Sequence, residues 1–244
     1  MRQLFPDQST LDDEGLRDAY ALDRTRPSVR VNFVASLDGA VEVSGYSRGL
    51  SSPTDHQVFG MLRAHSDAVM VGAGTLRHEG YGPLTVGEKS QAWRRANGLA
   101  DQPTMVIVTS SLEVDPTASV FTDAPVRPVV LTHAGAPPER RAALEPVADV
   151  VTCGDSVVDL SQGLNELQGC GLDQILCEGG PFLFGALLAA DLVDELCLSI
   201  SPLLAGSGAS RIVADGRRAL PATMRLVHLI HADEDMLLAR YTRS

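Results

Sequence analysis

Short apolar runs alternate with amphipathic stretches of helical length along most of this chain. Val29 to Leu37, rich in Val, Phe and Ala, reads as a strand. Ser52-Pro53 then opens a helix running to about His65, with Val58, Met61 and Leu62 on one face. Ala68 to Val71 is a short buried strand ending in Gly72-Ala73-Gly74-Thr75. Residues 77–103, rich in Gly, Arg and Gln, read as a long loop with a helical turn around Trp93. Further strands are expected at Met105–Val108, Val129–Leu131 and Val147–Thr152, with a helix starting near Pro137-Pro138-Glu139. Val157 to Leu167 reads as helical, and the run Ile175-Leu176-Cys177 as a strand that ends at Glu178. A helix over 181–190 and strands at Glu195–Leu203, Met224–Ile230 and Met236–Tyr241 follow. The last two flank the acidic turn Asp233-Glu234-Asp235 and form an antiparallel hairpin. At the other end, Thr10 with Asp13 predicts a capping pair for a short helix through Tyr20. The pattern describes one α/β domain with a mixed sheet over residues 29–244, preceded by an N-terminal extension, residues 1–28.

Two glycine turns follow buried strands directly. In Glu178-Gly179-Gly180-Pro181 a strand ends in an acid, turns through two glycines and starts a helix with proline at its first position. Such a turn exposes backbone N–H groups at a positive helix end, with no side chain to block an anion. Gly72-Ala73-Gly74-Thr75 is the second, and together they predict a dinucleotide gripped from both sides. Ala35-Ser36-Leu37-Asp38-Gly39 ends the first strand in a polar turn: either a simple turn or a ligand-facing edge carrying Asp38.

Composition narrows the partners. With 44% hydrophobic and 21% charged residues the chain is an ordinary soluble globular sequence, and its net charge of −11 argues against a nucleic-acid or acidic-membrane surface. No apolar segment is long enough to span a bilayer, and residues 1–7 lack a signal core, so a cytoplasmic location is expected. Cys153, Cys170, Cys177 and Cys197 form no C-x-x-C pair and read as reduced thiols. The six histidines show no zinc spacing, and no G-x-S-x-G elbow supports a serine hydrolase, so no metal is expected.

Six motifs in order resemble the reductase domain of riboflavin biosynthesis: Ala35 to Gly39, Leu62-Arg63-Ala64, Val71 to Thr75, Glu178 to Pro181, Leu192 to Leu196, and Ser201 to Gly206. The resemblance covers residues 29–242. It implies a dihydrofolate-reductase-like fold, with a mixed, mainly parallel sheet, flanking helices and usually a homodimer. It also implies NADPH as the cofactor and a small-molecule substrate, 5-amino-6-ribosylaminouracil 5′-phosphate, reduced at C1′ of its ring-opened form. By this resemblance Gly72, Gly74, Thr75, Glu79, Ser110 and the turn Gly179-Gly180-Pro181-Phe182-Leu183 hold NADPH. Ser47, Arg63, Leu84 and Glu178 face the substrate, with Arg63 as partner for its phosphate and Glu178 near the reacting centre. Asp38 is a candidate for positioning or proton transfer.

The chain departs from the family in two places. Glu79 to Gly87 is one residue longer than the usual segment and lacks the Arg that follows Leu-Thr there, leaving Arg48 or Arg77 to supply the charge. Ser47 to Ser51 lacks the aromatic often found in its middle, and residues 1–28 contain no zinc deaminase motif. Two other readings stay open: reduction of another heterocycle, such as a pterin or dihydrofolate, and a non-catalytic nucleotide-binding regulatory protein.

Overall fold

The computed structural model describes residues 1–214 and 221–243. Its elements in chain order are β1 (Arg2–Phe5), β2 (Ser9–Thr10), α1 (Asp13–Ala19), β3 (Ser28–Ser36), α2 (Pro53–His65), β4 (Ala68–Gly72), α3 (Ala73–Glu79), α4 (Glu88–Ala96) and β5 (Thr104–Val108). Then come α5 (Ser119–Thr122), β6 (Val129–Thr132), α6 (Pro138–Leu144), β7 (Asp149–Thr152), α7 (Leu160–Gly169), β8 (Gln174–Cys177), α8 (Pro181–Ala189), β9 (Glu195–Ser201), β10 (Met224–His231) and β11 (Leu237–Arg243). Among the described residues the strands form one sheet in the order β2-β1-β10-β11-β9-β3-β8-β4-β5-β6-β7. From β9 to β7 neighbouring strands run parallel, and the β10–β11 hairpin, β1 and β2 complete the sheet antiparallel. The mixed, mainly parallel sheet with flanking helices and a C-terminal hairpin is therefore the one expected.

Period-two alternation sorts the core. On β4, Val69 and Val71 enter a cluster with Leu62 of α2, while Ala68 and Met70 enter a cluster on the other face with Leu187 of α8. Strands covered on both faces read as continuous apolar runs, which is why β4 and β8 are visible in the sequence.

Several boundaries differ from the expectation, each for a local reason. The cap of α1 is Asp12, which accepts from Gly15 N at 2.9 Å, and Thr10 lies in β2. Residues 77–103 hold more helix than expected: the turn expected around Trp93 is part of α4, and the end of α3 also lies in this segment. The helix α4 is held by a polar anchor, buried Arg94, which donates to the carbonyls of Ala64 (2.9 Å), Ser66 (2.6 Å) and Ala100 (2.6 Å). Gly72-Ala73-Gly74-Thr75 is a turn only at Gly72, because Ala73 already starts α3. Residues 157–159 are not helical, since Asp159 caps α7 by accepting from Gln162 N at 3.0 Å. The N–H groups of Val147 and Ala148 close onto Leu144 O, so β7 starts only at Asp149. The four-residue helix α5 has no counterpart in the sequence reading.

Residues 1–20 join the same sheet, β1 pairing with β10, and α1 docks through its C-terminal carbonyls. Arg30 donates to Tyr20 O and Arg240 to Ala19 O, both at 2.8 Å, while His65 Nδ1 lies 3.1 Å from Tyr20 O. Glu195 neutralises both arginines, at 2.6 Å and 2.7 Å. Burial alone would raise the Glu195 pKa, but the two guanidinium groups overcome it and hold the carboxyl below its ordinary value.

Burial pushes His65 and His228, which packs edge-on against Tyr20, down to a pKa of about 4. Both are therefore neutral when folded but accept a proton near pH 6.5 when unfolded. Their contribution is complete above about pH 6.5 and is lost as the pH falls toward about 4, by up to about 3 kcal/mol each. Urea titrations at about pH 7 and about pH 4.5 should show that loss. His228→Gln should flatten the dependence, and an unchanged pH slope in that variant would contradict the assignment.

Candidate active site

β4 and β8 are neighbouring parallel strands, so both end at the same edge of the sheet and both feed a helix through glycine. Gly72 N donates to Gly179 O at 2.8 Å, joining the two turns. Gly179 has φ +87°, and a Cβ there would lie 2.8 Å from Phe33 Cζ. At Gly180, joined to Gly179 by a cis peptide, a Cβ would collide with Thr75 Oγ1. Only glycine fits either position. Gly180 is the N-cap of α8 and Pro181 its first residue, and no side chain makes a cap hydrogen bond to the helix end. The first-turn N–H groups of α8 have no partner within the helix and favour an anion.

Two cavities meet at this seam. The larger, of about 640 Å³, reaches from α8 to the first turn of α2, and the second, of about 450 Å³, lies between α8 and the end of β5. Gly72, Gly74, Phe182 and Leu183 line both, so the pair forms one bent trough over the glycine turns.

Beside the seam, Glu178 is clamped. Arg63 Nε and Nη2 donate to its two oxygens at 2.6 Å and 2.8 Å, and the Tyr81 hydroxyl donates at 2.9 Å. The Glu178 side chain is 1% exposed, and the Arg63 guanidinium stacks on the Phe59 ring at 4.3 Å. Burial would lower the Arg63 pKa, but its bond to Glu178 outweighs that and raises it. Burial and the Glu178 charge together hold the Tyr81 phenol well above its ordinary pKa, so it remains a donor at neutral pH.

These contacts redistribute the expected roles. Thr75, Glu79, Gly180 and Pro181 line the larger cavity, as do Ser47, Leu84, Arg63 and Glu178. Glu79 accepts from Ser47 N at 3.1 Å, which ties α3 to the Ser47–Gly49 turn. Ser110 lines the second cavity, together with Arg77 and Ser111. Arg63 gives Nε and Nη2 to Glu178, and its Nη1 has no partner among the described residues and remains a donor toward the larger cavity. Glu178 accepts one bond at Oε1 and two at Oε2, and so holds Arg63 and Tyr81 in place. Asp38 lies outside both cavities: it accepts from Ser36 Oγ, Ala205 N and Gly206 N. Those bonds hold its pKa down to about 2, so it is a charged loop anchor and not a proton donor.

Sequence reasoning missed Tyr81, hidden in the polar loop, and the cavity-facing residues Asp55 and Phe59 of α2. The signal for the latter was present, since Asp55, Phe59 and Arg63 are spaced i, i+4, i+8. Among the described residues no group of three His, Cys, Asp or Glu side chains is placed to hold a metal ion, and no helix is long and apolar enough to cross a membrane.

Comparison with known proteins fixes the family. The family model of the RibD C-terminal domain matches residues 27–238. The chain belongs to that family. The 2,5-diamino-6-ribosylamino-4(3H)-pyrimidinone 5′-phosphate reductase of Archaeoglobus fulgidus is 33% identical over 80% of this chain and 89% of its own length. The Methanothermobacter thermautotrophicus protein of the same name is 34% identical, over 78% and 85%. A solved structure, a pyrimidine reductase-like protein from Corynebacterium diphtheriae, shares the fold at a TM-score of 0.85. It is 26% identical and covers 94% of this chain and 98% of its own. RibD C-terminal domain relatives are thus oxidoreductases of riboflavin biosynthesis.

The glycine seam gives a direct test. Gly180→Val should weaken NADPH binding at least about tenfold, read by fluorescence titration, with far-ultraviolet circular dichroism unchanged. Gly60→Ala, where a Cβ meets nothing within 4 Å, should leave binding as it is. Normal NADPH affinity in Gly180→Val would show that the seam does not hold the cofactor.

Proposed function

We propose that the chain is an NADPH-dependent reductase acting at C1′ of a ring-opened 6-ribosylaminopyrimidine 5′-phosphate. The observation that carries this reading is the bent trough over two joined glycine turns, with the Arg63–Glu178–Tyr81 clamp in the wall of its larger cavity. The residues present suit the cofactor. A Cβ-free cradle and the open N-terminus of α8 suit a pyrophosphate, while Ser110, Ser111 and Arg77 in the second cavity offer donors to a further phosphate. NADPH, when bound, supplies the hydride.

The protein's own part is positioning and exclusion of water. Phe33, Leu84 and Met105 give the larger cavity apolar walls. The clamp fixes Arg63 and Tyr81 against Glu178, so polar groups at the seam stay in place when the site is dry. Arg48, on the Ser47–Gly49 turn, lines the same cavity and pairs with no carboxylate among the described residues. It takes the substrate phosphate with its whole guanidinium, where Arg63 has only part of its own left, whereas Arg77 faces the second cavity. A homodimer and a cytoplasmic location belong to the same reading.

NADPH oxidation, followed by its loss of near-ultraviolet absorbance, tests this with the 2,5-diamino and the deaminated uracil substrates. Turnover of at least one is expected. Arg48→Ala should raise KM about tenfold or more, with a smaller change in kcat, since the phosphate is remote from the reacting carbon. Tight NADPH binding without oxidation would overturn the reductase reading, and turnover of dihydrofolate instead would favour the other heterocycle.

A further inference from the structure

The turn from Val43 to Gly49 reaches the wall of the larger cavity through Ser47 and Arg48. Val43 N donates to Tyr46 O at 3.0 Å and Tyr46 N to Val43 O at 3.2 Å, closing a two-residue hairpin through Ser44 (φ 53°) and Gly45 (φ 84°). Two side chains of α3 fasten it: Glu79 accepts from Ser47 N at 3.1 Å, and His78 Nε2 donates to the Gly45 carbonyl. A Cβ at Gly49 would lie 2.9 Å from Val43 Cβ, so the two ends of the turn lie against each other. On this fixed frame the Tyr46 ring stacks on His78, with centroids 5.0 Å apart and planes 13° from parallel. The Arg48 guanidinium lies over the same Tyr46 ring, 4.6 Å from its centre.

An arginine on a turn ordinarily spreads over many rotamers, and ordering it at the moment of binding costs side-chain entropy. A ring beneath the guanidinium removes part of that cost in advance. Such a contact engages the guanidinium face and leaves the N–H donors, which lie in its plane, open to an anion. Arg48 donates none of them to a described residue, whereas Arg63 gives two of its nitrogens to Glu178. We propose that Tyr46 is a positioning residue for phosphate recognition: its ring, held on His78, preorders Arg48 so that phosphorylated ligands are selected over the same ligands without phosphate. This rests on the reductase reading above, with Arg48 as the phosphate partner, and names the residue that sets how strongly the phosphate is read.

The probes are the ribitylaminopyrimidine product of the proposed reaction with and without its 5′-phosphate, bound to the full chain in the presence of NADP+ and measured by calorimetry. The ratio of the two affinities is the phosphate preference. The wild type should prefer the phosphorylated compound at least about tenfold, and Arg48→Ala should remove most of that preference. Tyr46→Leu should lower the preference about 2- to 5-fold, the scale of one exposed cation–π contact, while Tyr46→Phe, which keeps the ring, restores it. A merely structural role would weaken both compounds alike and leave the ratio as it is. No preference in the wild type, binding of neither compound, an unchanged ratio in Arg48→Ala or Tyr46→Leu, or an equal loss in Tyr46→Phe would each overturn the inference. The ratio is read without turnover. A chain with this preference that oxidises NADPH with no ribosylaminopyrimidine phosphate supports the role of Tyr46 and overturns the reductase reading. One that oxidises NADPH equally well with and without the phosphate supports the reductase reading and overturns the inference.

Discussion

Everything in the trough depends on how closely two strand-to-helix turns approach each other. The hydrogen bond from Gly72 N to Gly179 O sets two backbones side by side at the open edge of the sheet. That approach leaves no volume for side chains at Gly179 or Gly180, where Phe33 and Thr75 already occupy the space. Since the adjacent parallel strands β4 and β8 deliver both turns to one edge, the contact also fixes where α3 and α8 begin. The first-turn N–H groups of α8 open beside that contact, where an anion is favoured.

The clamp at Glu178 addresses the electrostatic problem this creates. A carboxylate one residue before an anion-favouring turn would repel what the turn attracts. Here the charge is answered by a bidentate guanidinium and a phenol, and the Phe59 ring covers the guanidinium face. Removing one member of such a buried set costs about 3–5 kcal/mol, because the survivor is left charged and dry. The clamp therefore fixes geometry in the wall of the larger cavity.

The two glycine turns were legible in the sequence because their constraint is steric and local: glycine appears where nothing larger fits. The buried strands were legible for a similar reason, since β4 and β8 are covered on both faces. Long-range pairings were not. The helix α4 hid in a polar segment because what holds it is Arg94 gripping the end of α2, not an apolar stripe. Strands β1 and β2 are short and mostly exposed, and β10, through which β1 joins the rest of the sheet, lies more than two hundred residues away in sequence. Arg63 and Asp38 were visible as candidates, but a sequence does not show which carboxylate or amide a charged group has already engaged.

The docking of α1 has a practical consequence. The chain has one tryptophan, Trp93 of α4, and it stacks on His65 with ring centroids 4.6 Å apart while the Arg17 guanidinium of α1 lies 5.1 Å from its ring. Three elements thus meet around a single indole whose emission depends on its neighbours. The molecule carries an intrinsic optical gauge of the joint between its N-terminal helix and the sheet's flanking helices. Because Trp93 lines neither cavity, that signal can be recorded while the trough is empty or full.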